Sequence, residues 1–176
     1  MNGALDGVPA SEFRRVIGHW ATGVSVVTAD GPSGCTVNAI TSVSLDPLLL
    51  IVCFDVRSNT LGVVRETGRF CINVLSAEQH RIAARFASKD EMAAKFADVG
   101  YRIGDGLPVL TGTIASIHCE VVDHMPAGDH VVFLARPTRL LTVEDPEPLI
   151  YYRSAYHRVV DHGPPAVVLQ ADPSPS

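Results

Sequence analysis

Lysine is almost missing from this chain: Lys89 and Lys95 stand against twelve arginines, a bias we attribute to genome composition more than to function. No basic stripe is present and the net charge is −5, which argues against nucleic acid or an anionic membrane as a partner. Cys-x-x-Cys pairs are absent too. Of Cys35, Cys53, Cys71 and Cys119, the first three sit in strand-like apolar contexts, where cysteine behaves as a small buried hydrophobe. Neither structural zinc nor a disulfide framework is expected, and no His-x-x-x-His or His/Cys spacing points to another metal. The longest apolar run, Leu48 to Phe54, has seven residues, far short of the ~20 that cross a bilayer. MNGALDGVPASEF lacks the basic and apolar regions of a signal peptide, so a cytoplasmic protein is expected. No Gly-x-Gly-x-x-Gly follows a strand and no Gly-x-Ser-x-Gly elbow occurs, which disfavours a dinucleotide-binding fold and a serine hydrolase. A nicotinamide nucleotide, if used here, binds by another route.

What is present reads as one domain with a genuine core, 47% apolar and 19% charged over 176 residues. A first helix is expected with Ser11 as its cap, Phe13, Val16, Ile17 and Trp20 on one face, and Thr22-Gly23 as its end. Val24–Ala29 reads as a strand, and the turn cluster Asp30–Gly34 leads it by a hairpin into Cys35–Ser42. Asp46-Pro47 breaks the chain before Leu48–Phe54, expected to be a fully buried strand. Ser58 opens a short helix that stops at Gly68. A strand at Phe70–Leu75 follows, then a helix capped by Ser76 and holding Ile82, Ala83 and Phe86, then a second helical piece at Lys89–Phe96. Two long strands, Thr113–Asp123 and His130–Val143, are joined by a turn at Met125–Asp129, with Pro137 marking a bulge or edge. A last strand lies near Leu149–Tyr152, and the Pro-rich tail from Gly163 to Ser176 is expected to be mobile. Many strands, hairpin turns and few helices favour an antiparallel barrel over a parallel sheet.

Four clusters carry candidate chemistry. Asn38, Ala39, Thr41, Ser42 and Ser44 place short polar and small side chains directly before an apolar strand. Such a stretch lets a flat ring approach backbone donors and acceptors; solvated strand residues are the plain alternative. Ser58-Asn59-Thr60 stands at a helix start, where unpaired N–H groups and the dipole favour phosphate, or where Ser58 simply caps the helix. Gly128-Asp129-His130 ends a hairpin turn, so His130 reaches either into a cleft or into solvent. Tyr151-Tyr152-Arg153 offers aromatic faces and a guanidinium for stacking, or core tyrosines on a closing strand.

Taken together, Ala21-Thr-Gly-Val24, Thr36-Val-Asn-Ala39, Thr41-Ser-Val-Ser-Leu-Asp-Pro47, Ser58-Asn-Thr60, Phe70-Cys-Ile-Asn-Val74, Arg85-Phe86, Gly128-Asp-His130 and Tyr151-Tyr-Arg153 resemble the short-chain flavin reductase family. The likeness runs from Phe13 to Val159. It implies a mainly β, Greek-key split barrel with a few short peripheral helices, spanning residues 11–162, that binds FAD or FMN and works as a homodimer. It implies reduction of flavin by NADH, with NADPH the alternative, and release of reduced flavin to a partner monooxygenase. Carried over by position, Thr36, Val37, Asn38, Ala39, Ser42, Val43 and Ser44, with Cys53, border the flavin ring and ribityl chain. Ser58, Asn59 and Thr60, with Arg85 and Phe86, hold its phosphate end. His130, Tyr152 and Arg153 meet the nicotinamide nucleotide, His130 as the catalytic candidate. Leu48, where relatives more often have a second proline, and Ser154, where they often carry glycine, depart from the pattern. Two alternatives stay open: a flavoprotein oxidase on the same barrel, and a flavin-binding protein without electron transfer.

Overall fold

Apolar runs cut by turn residues become strands that pair antiparallel wherever they pair, and the computed structural model describes them over residues 7–144 and 147–160. Helix α1 (Ala10–Ile17) precedes β1 (Thr22–Gly23), β2 (Ser25–Ala29), β3 (Ser33–Val37), β4 (Ile40–Leu45) and β5 (Leu48–Asp55). Next come α2 (Asn59–Thr67), β6 (Arg69–Val74), α3 (His80–Ala87) and α4 (Met92–Phe96). The chain continues with β7 (Tyr101–Gly104), β8 (Leu107–Leu110), β9 (Ala115–Ala127), β10 (His130–Thr142), β11 (Leu149–Tyr152) and β12 (Ala155–Arg158). The main sheet has seven strands in the order β3-β2-β6-β9-β10-β5-β4, and β1-β11-β12 and β7-β8 form two small sheets.

That order cannot lie flat. Six strand gaps would separate β3 from β4 by about 29 Å. Yet Val37 and Ile40 are three peptide units apart, a reach of at most ~11 Å. The sheet therefore curls until the Asn38-Ala39 link joins its two edges, and the Ala39 carbonyl accepts a hydrogen bond from the Cys53 amide at 3.0 Å. Val27, Val37, Leu50, Val52, Phe54, Phe70, Ile72, Val131 and Phe133 fill the inside of the curl. Phe54 meets Phe70 and Phe133 edge-on at 6.2 and 5.4 Å between ring centres, an arrangement that suits the ring quadrupoles.

Several sequence expectations change. Helix α1 begins after Pro9 without a side-chain cap, so Ser11 lies inside it, and it stops at Gly18. Thr22-Gly23 is instead a short strand against Tyr151 and Ile150. Strand β5 is buried on one face only, because Leu50, Val52 and Phe54 point inward while Ile51 and Cys53 stay half exposed. The turn expected over residues 125–129 shrinks to Gly128-Asp129, since Ala127 already pairs with His130. Gly128 has φ 64°, a conformation natural to glycine, and lets a two-residue turn close the hairpin. The Pro137 bulge and the Gly68 stop (φ 67°) appear, whereas Ser76 caps a short 3-10 turn, Ala77–Gln79, and the helix holding Ile82, Ala83 and Phe86 starts after it at His80. The β7-β8 hairpin and β12 had no counterpart in the sequence reading. The tail from Gly163 lies outside the described residues.

Candidate functional site

The chemistry gathers where β3 faces the β5–α2 junction. Strand β5 ends at Asp55, and α2 starts after Ser58 with no acidic residue in its first turn. Ser58 makes no side-chain cap bond to its own helix, so capping does not explain it. The Cys35 thiol on β3 lies close to the Ser58 and Thr60 hydroxyls. Burial pushes the Cys35 thiol up; those two hydroxyls and the nearby Lys95 charge oppose that shift. Thr60 is wholly buried and accepts a hydrogen bond from the Ser33 hydroxyl at 3.1 Å, which pins α2 to β3. Asn59 is exposed at the same helix start.

From the other side α3 and α4 close on β3. The Thr36 hydroxyl donates to the Ala83 carbonyl at 2.7 Å, and the Gly34 amide points to the Met92 sulfur at 3.4 Å. A side chain at Gly34 would strike the Phe86 ring, whose Cε1 would lie 2.9 Å from an added Cβ. Phe86 itself is buried and meets Phe96 edge-on at 4.9 Å, so its ring serves the core and is closed to a ligand. The Arg85 guanidinium donates to the Ala97 carbonyl at the end of α4. Lys95, which sequence reasoning passed over, is 6% exposed. Its ammonium donates to the Phe86 carbonyl at 3.3 Å, and among the described residues no carboxylate lies within ion-pair reach. The one available signal was a lysine kept in a chain that otherwise uses arginine.

Along the rest of the edge, Val37 is buried in the core, whereas Asn38, Ala39, Ser42 and Val43 are exposed. The Asn38 amide donates to the Thr22 hydroxyl at 3.3 Å, and the two residues line a groove of about 580 Å³ that also takes in Trp20, Ile40 and Thr41. The Ser44 hydroxyl accepts the Asp46 amide at 3.2 Å, and the register slips between Ser42 and Ser44, which bulges Val43 outward. Cys53 is half exposed on the outer face, opposite Val132, with its thiol pushed up by burial.

His130 lies on that outer face, opposite Asp55 and one pair beyond Cys53–Val132 on the same side. Its Nδ1 is 2.7 Å from the Asp129 carboxylate, which His130 holds below the usual carboxylate range. Asp55 is held lower still by hydrogen bonds from the Arg57 side chain and amide. Tyr152 ends β11 in a different sheet, and Arg153 stands in the turn that follows. Tyr152 meets His19 edge-on at 6.1 Å, and the Arg153 amide donates to Gly18 at 2.9 Å. No hydrogen bond, ion pair or ring contact among the described residues joins them to His130 within one chain. Arg153 and Ser154 both have positive φ, 48° and 63°, which is why glycine suits position 154.

Residues 17–160 match the flavin reductase like domain. The chain belongs to the flavin reductase-like family. A flavin reductase from Pseudomonas putida is 39% identical over 149 residues, 82% of this chain and 86% of that protein. The reductase subunit HsaB of a flavin-dependent monooxygenase from Rhodococcus jostii is 34% identical, over 87% of this chain and 80% of its own. Among solved structures, the NADH:FAD oxidoreductase SgcE6 of Streptomyces globisporus C-1027, in complex with NAD and FAD fragments, superposes with a TM-score of 0.83 at 29% identity, covering 88% of this chain and 94% of that one.

Proposed function

We propose that this protein is an NADH-dependent flavin reductase that reduces FAD or FMN and supplies the reduced flavin to a separate monooxygenase. The family match over residues 17–160 carries the reading. The residues present fit a phosphate-bearing flavin: a helix start free of acidic side chains docks at one end of β3, and a groove beside Asn38 opens past the other. When bound, the flavin ring takes hydride at N5 from nicotinamide C4, chemistry that belongs to the two ring systems.

The chain's part is to bind and orient. Asn38, Ala39, Ser42 and Ser44 offer neutral donors and acceptors along one ring edge, with Cys53 beside them. Ser58, Asn59 and Thr60 receive the phosphate at the start of α2. His130 aligns the nicotinamide, with Asp129 anchoring Nδ1 so that Nε2 is the free nitrogen. The curl whose edges meet at Asn38-Ala39 supports a split barrel. The half-exposed apolar outer face of β5 and β10 and the exposed Phe13, Val16, Ile17 and Trp20 of the N-terminal segment support a homodimer. Four free thiols suit a reducing cytoplasm.

One experiment decides among reductase, oxidase and binding protein: NADH or NADPH mixed with protein and excess FMN or FAD, following nicotinamide absorbance. Multiple turnovers that require free flavin are expected. No loss with any combination removes the reductase reading.

A further inference from the structure

We propose that the β7-β8 hairpin is an acid-opened flap, latched while the His118 ring is neutral and released when that ring takes a proton. The device stands apart from the flavin site and needs no flavin.

No strand ladder joins the hairpin to the main sheet among the described residues. Side chains hold it instead. The Leu110 amide donates to Asn73 at 2.9 Å, and the Thr28 hydroxyl donates to the Pro108 carbonyl at 2.5 Å. Arg69 donates to the Asp105 carbonyl at 3.2 Å, and Arg139 to the Asp105 carboxylate at 3.0 Å. An element attached in this way can lift by itself while the ladders beneath stay closed. Under it lie Cys71 of β6 and His118 of β9, paired across the two strands and 0% and 3% exposed. Leu107 and Val109 of the hairpin pack on Cys71. Gly104 stands so near that a Cβ built there would lie 3.5 Å from His118 Cε1.

Among the described residues neither nitrogen of His118 has a hydrogen-bond partner. A neutral imidazole can be kept there at the cost of its unmade bonds, whereas an imidazolium costs far more. Only Asp105, in the hairpin turn, would attract the charge, from 3.8 Å, and its carboxylate already pairs with Arg139. Arg139 lies opposite His118 on β10, and both it and Arg102 of β7 repel a proton on the ring. The other charges nearby are matched, Arg69 with Asp30 and Arg136 with Glu120. Strands β2 and β8 carry no charged residue. Once the flap lifts, the ring meets water and protonates as an ordinary histidine does, so protons favour the open form. The closed form therefore keeps its full advantage above about pH 6.5 and loses it as pH falls. Asp105 is held below the usual carboxylate range and burial pushes the Cys71 thiol up to about 12, so neither titrates between mildly acidic and neutral pH.

Amide hydrogen exchange on the wild-type protein at about pH 7.5 and 5.5, corrected for the intrinsic effect of pH, tests the flap. The Leu110 amide should be less protected than the ladder amides between β5 and β10 at both values. Its protection should fall about tenfold at the lower pH, the limit for one histidine a unit below its ordinary value. In His118→Phe that fall should vanish. Protection equal to that of the ladder would mean that the hairpin opens only with the whole fold, and overturns the proposal. So does protection that holds or rises on acidification, which would mean that Asp105 keeps the charged ring closed in. A fall that persists in His118→Phe assigns the effect to another group and overturns it too. Should His118→Phe fail to fold, wild-type Cys71 decides. Its rate with a dipyridyl disulfide, divided at each pH by that of the urea-unfolded protein, should rise about tenfold on acidification, and a ratio that stays level or drops sinks the flap.

Discussion

The outer face of the seven-stranded sheet has two halves with inverted chemistry. Over β2, β6 and β9 the outward residues include Thr28, Asn73, Ser116 and His118, all polar and all buried beneath the β7-β8 hairpin. Over β5 and β10 they include Ile51, Cys53, Val132 and Leu134, all apolar and all half exposed. The covered half is held by specific bonds. Asn73 accepts the Leu110 amide at 2.9 Å and donates to the Val26 carbonyl and the Thr28 hydroxyl at 3.1 and 3.0 Å, and Thr28 donates to the Pro108 carbonyl at 2.5 Å. Polar burial here is a matter of register, since the hairpin can dock in only one alignment. Apolar exposure on the other half has no such account, since nothing among the described residues covers it.

The strongest way to break the contrast is to charge the uncovered half. If the proposed homodimer forms through this face, Val132→Asp should sediment as a monomer and reduce flavin at least about tenfold more slowly, because a cleft between copies would be lost. A variant that stays dimeric and active would place the subunit interface elsewhere. In the covered half, Asn73→Ala leaves the buried Leu110 amide and Thr28 hydroxyl short of a partner. Urea unfolding should show a loss of about 2–3 kcal/mol with the slope unchanged.

His130→Ala sharpens the difference between halves, since His130 supports no core. The apparent KM for NADH should rise several-fold, or single-turnover hydride transfer should slow, with flavin affinity and unfolding midpoint unchanged. Loss of flavin affinity would move His130 into the flavin site.

The smallest expected effect concerns His118. Among the described residues neither ring nitrogen has a hydrogen-bond partner, and Nδ1 is 3.8 Å from Asp105 at the hairpin tip. Burial lowers the tendency of the ring to take a proton; Asp105 opposes this, and Arg139 and Arg102 reinforce it. Because the folded value lies below the unfolded one, the unfolded chain binds the proton more readily. Stability is therefore full above about pH 6.5 and declines as pH falls below it. His118→Phe should lose less stability than wild type between neutral and mildly acidic pH. A parallel decline in both proteins would assign the acid sensitivity to other groups.

Much of the fold was legible because its cues are local. Gly68 at a helix end, the Ser76–Gln79 box and the Pro137 bulge each depend on a few neighbouring residues. The β7-β8 hairpin escaped notice because its stability comes from Asn73 and Thr28, more than thirty residues away in sequence. Leu48–Phe54 looked buried on both faces since hydrophobicity records what wants to be covered, not by which chain. The candidate site was legible as an expectation resting on short motifs such as Ser58-Asn59-Thr60. The burial of Lys95 was not, because only three-dimensional packing brings its ammonium to the Phe86 carbonyl.

The two-residue turn at Gly128-Asp129 also orders the events of folding. It brings β9 and β10 together across almost no chain, whereas Thr28 must find Cys71 across 43 residues. Closing the longer loop costs roughly 2–3 kcal/mol more in chain entropy. The β9-β10 ribbon is therefore expected to form early, and the pairings across the longest loops, β5 with β10 and β1 with β11, are expected to close late.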